Sequence, residues 1–142
     1  LHGIGGIGKS ELAKQYAKKY VYEYDTVIFA PYVTDMVSLI ANDNCIHIAN
    51  FSRFIDEKAE EYYERKKDKI KELIEDNGER ILLIVDNLDT TEDQNIKLLF
   101  GLGCHVLITS RVDMVAIFNR PQMEITALGK LEFVTPEQIF GY

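Results

Sequence analysis

Gly3, Gly5, Gly6 and Gly8, followed at once by Lys9 and Ser10, are the stretch of this 142-residue chain best suited to chemistry. Four glycines within six positions let the backbone take positive φ and approach an oxygen-rich anion closely. Successive N–H groups can then form an anion nest. The periodic segment that begins at Lys9 predicts a helix, whose positive dipole end and free N–H groups point the same way. An ammonium and a hydroxyl at the end of such a loop supply a charge anchor and a hard oxygen donor. The chemistry this implies is the holding of phosphate groups.

The spacing Gly3-x4-Gly8-Lys9-Ser10 fits the P-loop pattern in full. In that pattern Lys9 reaches the β- and γ-phosphates and the Ser10 hydroxyl ligates Mg²⁺. The nucleotide-contacting set is therefore Gly3, Gly5, Gly6, Ile7, Gly8, Lys9, Ser10 and Glu11. A neighbouring strand must end in an acid that holds Mg²⁺ through water, and Asp86 closes the apolar run 81–85 in that position. Ser10 and Asp86 are the metal pair. Asn87 follows, where many ATPases carry a second acid that activates water. An asparagine cannot serve as a base, so slow hydrolysis is expected, with Asp89 the nearest acid able to substitute in part. The next buried strand ends in Thr109-Ser110-Arg111. Ligands of parallel sheets sit beyond the carboxyl ends of the strands, so Arg111 is placed to read the γ-phosphate. Asp86 and Arg111 are the candidate catalytic residues. No N-K-x-D guanine-reading motif occurs, which favours adenine. His2, His47 and His105 do not combine with Cys45 or Cys104 at metal-ligand spacing, and are read as ordinary residues.

The elements that position these groups follow from periodicity. Leu12, Ala13, Tyr16, Ala17, Tyr20 and Val21 share one face of a helix over 9–23. Residues 26–33 read as a buried strand that ends or bends at Pro31. The segment 36–51 is ambiguous, and is read as a short helix, a loop and then a short extended piece at 45–48. A long helix is expected over 52–77, with Phe54, Ile55, Ala59, Tyr62, Tyr63, Ile70, Leu73 and Ile74 as its stripe, interrupted near Lys66. From Asp56 to Arg80, 17 of 25 residues are charged, and the mixed signs mark a solvated face rather than a nucleic-acid patch. Glu61/Arg65 and Asp68/Lys71 are pairs one turn apart on it. Asn77-Gly78-Glu79 stops that helix. The continuous apolar run from 81 suits a parallel strand covered on both faces. A helix over 92–100, a strand over 104–111, a short helix over 112–119 and a strand over 122–129 follow. Thr135-Pro136-Glu137-Gln138 starts a last helix. Alternating strands and helices indicate an α/β fold with a parallel sheet and flanking helices.

Composition narrows the classes. A net charge of −7 is a poor basis for binding nucleic acid directly. Two cysteines make no disulfide framework, and a reducing, cytoplasmic setting is the expectation. No apolar run approaches the length of a membrane span, and no signal peptide is visible.

The motifs "GIGGIGKSELA", "ILLIVDNLD" and "HVLITSR" resemble, in order, the Walker A, Walker B and sensor motifs of NB-ARC type STAND NTPases, the signalling ATPases of apoptotic activators, plant resistance proteins and bacterial regulators. The resemblance spans nearly the whole chain. It implies a P-loop NTPase of the ASCE type, a nucleotide-binding domain over 1–134, and the start of a helical lid domain over 135–142. It implies ATP/ADP and Mg²⁺ as ligands, partners among the other domains of its own parent chain, and a homo-oligomer in the ATP state. Strand order 5-1-4-3-2 is expected by analogy. The first strand is nearly absent, with only Leu1 and His2 left of it, so the chain is expected to be a fragment whose glycine loop lacks its anchor and binds nucleotide weakly. Two other readings stay open at this point: a metabolic P-loop kinase or phosphotransferase, and a structural interaction domain that has lost nucleotide binding. No arginine-rich lid supports the first, and intact Lys9, Ser10 and Asp86 speak against the second.

Overall fold

The computed structural model describes residues 9–111. Helix α1 (Lys9–Lys19) is followed by a 3₁₀ turn (Val21–Glu23), strand β1 (Thr26–Pro31), and helices α2 (Met36–Ala41) and α3 (Ala59–Glu75). Strand β2 (Ile81–Asp86), a 3₁₀ segment (Gln94–Leu102) and strand β3 (His105–Ile108) complete the order. The three strands form one parallel sheet in the order β1-β2-β3. In the expected five-strand order these are strands 2, 3 and 4, and they lie side by side as expected. The expected first and fifth strands, the helix over 112–119 and the helix starting at Thr135 fall outside the described residues.

Strand β2 is buried at every position because both sheet faces are covered. Leu82 and Ile84 face α1, where they pack with Ala13 and Leu107. Leu83 and Val85 face the other way, into a larger core with Ile40, Tyr63, Ile70 and Leu99 from α2, α3 and the 3₁₀ segment. Alternation along a strand sends successive side chains to opposite faces, so two covered faces require an unbroken apolar run.

The long helix is shorter than its periodicity predicts. It begins at Ala59, and 51–58 form a loop instead. The cause is Glu57, whose Oε1 accepts the Phe54 N–H at 3.0 Å and whose carboxylate takes the Arg65 guanidinium at 2.6 and 2.8 Å. Arg53 Nε donates to the Glu57 carbonyl, and Arg65 Nη2 donates to the Ser52 carbonyl. These contacts fold the segment back over α3 before a helical turn can form. Phe54 and Ile55 are consequently exposed rather than on the apolar stripe. Arg65 pairs with Glu57, not Glu61, and the ion pairs along α3 are Lys67–Glu64 and Lys69–Glu72.

Lys66 does interrupt the stripe, but it does so fully buried. Its Nζ donates to Asp43 Oδ1 at 2.7 Å, and Tyr62 Oη donates to the same oxygen at 2.6 Å. This pair ties α3 to the turn after α2. Residues 45–48 belong to that turn and its exit, not to an extended piece. The segment expected as a helix over 92–100 is 3₁₀, capped by the Asp93 carboxylate at its start and by Gly103 at φ +87° at its end. Gly78, at φ +68°, turns the chain out of α3, as the asparagine-glycine signal predicts.

Candidate functional site

The parallel register decides what meets at the carboxyl ends of the strands. Val85 pairs with Ile108, so the next residues, Asp86 and Thr109, are also neighbours. The Thr109 N–H donates to the Val85 carbonyl at 3.0 Å, extending the pairing by one residue. Thr109 is fully buried and Asp86 almost so, at 6% exposure. Thr109 Oγ1 donates to Asp86 Oδ1 at 2.5 Å and accepts the Asn87 N–H at 2.9 Å.

Across the sheet, α1 brings its first turn to the same place. Ser10 Oγ donates to Asp86 Oδ1 at 2.7 Å. The two members of the expected metal pair are thus in direct contact. The site also contains a third oxygen donor that sequence reasoning left without a role, the Thr109 hydroxyl. Its signal was available: a hydroxyl residue closing a strand beside one that ends in an acid. Glu11 lies in the first turn of α1, where backbone N–H groups have no intrahelical acceptor, and its exposed side chain pairs with Lys14 at 3.8 Å. Lys9 starts the helix, as the motif requires. Gly3, Gly5, Gly6, Ile7 and Gly8 fall outside the described residues.

Beyond Asp86 the chain turns sharply. Asn87 sits at φ +60°, a conformation asparagine tolerates better than most residues, and is exposed. Leu88 is buried, and its N–H donates to the Thr109 carbonyl at 2.9 Å. Asp89 then meets Arg111. Its Oδ1 accepts the Arg111 backbone N–H at 2.7 Å and its Oδ2 accepts Nε at 3.0 Å. Both carboxylate oxygens are occupied by the arginine that the sequence marks as a phosphate reader.

A cleft of about 680 Å³ opens at this edge between Tyr32, Thr34, Asn87, Asp89, Thr90 and Arg111. Its β1 side is fixed by Asp93, whose Oδ2 accepts from Tyr32 Oη and from the Met36 N–H, both at 2.7 Å. Burial and the Asp93 carboxylate push the Tyr32 phenol above its ordinary range, so the hydroxyl stays a donor. A second, apolar cavity of about 390 Å³ lies at the opposite, amino-terminal end of β1 and β2, among Thr26, Ile46, Ile48, Leu73 and Ile81. It lies at the other end of the strands from Asp86 and Thr109. His47 is exposed, and His105 Nδ1 lies 2.7 Å from Tyr24 Oη, away from the site.

Ser10, Asp86, Thr109, Asp89 and Arg111 therefore converge on one edge of a parallel sheet, at the start of a helix that follows the glycine-rich stretch of the sequence. No helix among the described residues is long and apolar enough to cross a membrane. No curated protein and no solved structure matches the chain. The family model of the NB-ARC domain matches residues 1–140. The chain belongs to the NB-ARC domain family, a family of nucleotide-binding P-loop NTPases, and is a nucleotide-binding module of the signalling-ATPase kind.

Proposed function

We propose that this chain is an ATP/ADP-binding regulatory switch that hydrolyses ATP slowly. The observation that carries the reading is the 2.7 Å contact between Ser10 Oγ and Asp86 Oδ1. It joins the residue after the P-loop lysine to the strand-end acid across 76 positions of sequence. The donors gathered there are a serine hydroxyl, a carboxylate and a threonine hydroxyl, all hard oxygens of the kind Mg²⁺ takes. Ser10 and Asp86 would hold the ion, and when bound it supplies charge neutralisation at the β- and γ-phosphates. Thr109 keeps the Asp86 carboxylate oriented. The loop from Gly3 to Gly8 wraps the phosphates, and Lys9 adds a charge-assisted contact.

Slow turnover follows from Asn87. It holds the place of a water-activating acid, yet it has no basic group. Asp89 does not step in freely, since both of its oxygens are engaged by Arg111. Arg111 lines the cleft beyond Asp86 and reads the γ-phosphate, which makes ATP and ADP different signals. The module then works with other domains of its parent chain, with residues 135–142 leading into a helical lid and assembly favoured by ATP. Free Cys45 and Cys104 fit a reducing, cytoplasmic setting.

Titration calorimetry of the full-length protein with ATP and ADP, with and without Mg²⁺, tests the reading. Mg²⁺-dependent binding of both nucleotides, with ATP turnover far below that of a metabolic enzyme, is expected. Absence of binding, or turnover on the order of 10 s⁻¹ or more, would overturn it.

A further inference from the structure

Asp89 grips Arg111 at two points and leaves one edge of the guanidinium untouched. Oδ1 takes the backbone N–H and Oδ2 takes Nε. Among the described residues, neither Nη of Arg111 donates a hydrogen bond. Arg65 provides the contrast within the same chain. Its Nε and Nη2 are consumed by Glu57 and the Ser52 carbonyl, and three aromatic rings surround its guanidinium. Arg65 is a structural arginine, with Nε and one of its two Nη groups engaged. Arg111 has its stem fixed and its terminal donors unspent.

The two partners are also unequally exposed. The Arg111 side chain is 63% exposed and that of Asp89 only 24%. The less exposed carboxylate is the anchor, and the arginine projects from it into the cleft. Asp89 is itself held in place. The turn at Asn87, the buried Leu88 side chain and the Leu88 N–H on the Thr109 carbonyl fix the backbone two residues after Asp86. The carboxylate is thereby tied to the acid that closes β2, and Arg111 is tied to the carboxylate.

We propose that Asp89 is a positioning residue that presents the Nη groups of Arg111 to the terminal phosphate of ATP and so sets the preference for ATP over ADP. The proposal rests on the reading of Arg111 as a γ-phosphate reader. Free arginine side chains lose rotamer freedom when they engage a ligand. Asp89 takes that cost at folding, before nucleotide arrives, and it does so without occupying the donors that phosphate needs. The opposite device, a latch that holds Arg111 away from phosphate, would engage an Nη group, as Glu57 and Ser52 engage Nη2 of Arg65.

The test compares the affinities of a non-hydrolysable ATP analogue and of ADP, each with Mg²⁺, in the full-length protein by calorimetry. Asp89→Ala is expected to lower analogue affinity about three- to tenfold, the range of ordering one long side chain, with ADP affinity unchanged. Unchanged ADP affinity also reports that the fold is intact. Asp89→Asn, which keeps an oxygen acceptor for Nε, recovers part of the loss. Arg111→Ala lowers analogue affinity as much or more, and Asp89→Ala adds nothing in that background. A rise in analogue affinity on Asp89→Ala identifies a latch and overturns the proposal. So does an equal loss for both nucleotides, or no change at all. If Arg111→Ala shifts the preference but Asp89→Ala does not, positioning alone fails. If Arg111→Ala leaves the preference unchanged, the γ-phosphate reading fails and positioning falls with it.

Discussion

Ser10 Oγ and Asp86 Oδ1 lie 2.7 Å apart, one in the first turn of α1 and the other at the end of β2. A hydroxyl and a carboxylate, hard oxygens that would hold a divalent cation, are thus one hydrogen bond apart. Ser10→Ala is therefore expected to abolish most of the Mg²⁺ dependence of ATP affinity while leaving the Mg²⁺-free affinity near wild type. Lys9→Ala should weaken binding with or without the ion, because it removes a charge-assisted contact of about 1.5–3 kcal/mol. Calorimetry with and without a chelator separates the two. An Mg²⁺ effect of wild-type size in Ser10→Ala would remove Ser10 from the metal pair.

Asn87 combines an uncommon backbone with an uncommon side chain for its place. Asn87→Asp keeps a residue that tolerates φ +60° and adds a carboxylate beside Asp86. ATP hydrolysis should rise, measured by phosphate release in the full-length protein. A rate unchanged or lowered by the new acid would mean that the slow step is not water activation.

The Lys66–Asp43 pair makes a stability prediction. Burial pulls the Lys66 ammonium below its ordinary range, while the hydrogen bond and charge of Asp43 oppose that. Burial pushes the Asp43 carboxyl up, but donation from Lys66 and Tyr62 outweighs it and the net shift is downward. Asp43→Ala leaves a fully buried ammonium without its carboxylate, with only the Tyr62 ring beside it. Because Asp43 itself is 40% exposed, the expected loss is about 2 kcal/mol, less than for a pair buried on both sides. Lys66→Met in the Asp43→Ala background should restore most of it. Urea denaturation midpoints measure both. A Lys66→Met change that deepens the loss would show that the lysine stem packs in a way methionine cannot copy.

Glu57 predicts an acid response. Hydrogen bonds from Arg65 hold its carboxyl down at about 2, against an ordinary 4.5. A carboxyl lowered by folding contributes stability that is present above its unfolded value and is lost as pH falls through the folded one. The contribution of Glu57 should therefore decline between about pH 4.5 and pH 2. Glu57→Gln should lower the melting temperature at neutral pH, and its difference from wild type should close across that window. A gap that stays constant down to pH 2 would point to packing rather than charge.

Two glycines can be ranked. Gly78 and Gly103 both have positive φ, yet a Cβ at Gly78 meets nothing within 4 Å, while one at Gly103 comes to 3.3 Å from Ile74 Cγ2. Gly78→Ala should cost about 1–2 kcal/mol for the left-handed backbone alone. Gly103→Ala should cost more, because Ile74 must also give way. Equal losses in urea melts would mean that Ile74 moves freely.

What the sequence shows and hides follows from how far each signal reaches. The parallel strands were legible because two covered faces leave no polar position between Ile81 and Val85. The placement of Asp86 at a strand end was legible for the same reason. The start of α3 was not. Phe54, Ile55 and Ala59 have helical spacing, and only the capture of Glu57 by Arg65, eight residues away, overrides it. The buried Lys66 was visible as a break in the stripe, but its partner Asp43 lies 23 residues off and no periodicity links them. Within the site, Ser10, Asp86 and Arg111 came from motif and strand position. The role of Thr109 depends on register, and the Asp89–Arg111 pair depends on the turn at Asn87. Neither is a property of a local pattern.

Both ladders among the described residues are parallel, and this sets a schedule for synthesis. Strand β2 pairs backwards with β1, 55 positions earlier at Thr26↔Ile81, and forwards with β3, 23 positions later at Leu82↔His105. A ribosome adding about 5–20 residues per second takes roughly one to four seconds to pass from the end of β2 to the end of β3. Throughout that interval the most apolar segment of the chain has one edge unpaired, and the acid that closes it has no threonine beside it. Nascent chains stalled with β2 outside the exit tunnel and β3 still within it should therefore be the ones most readily held by a chaperone, and release should follow once the third strand also clears the tunnel.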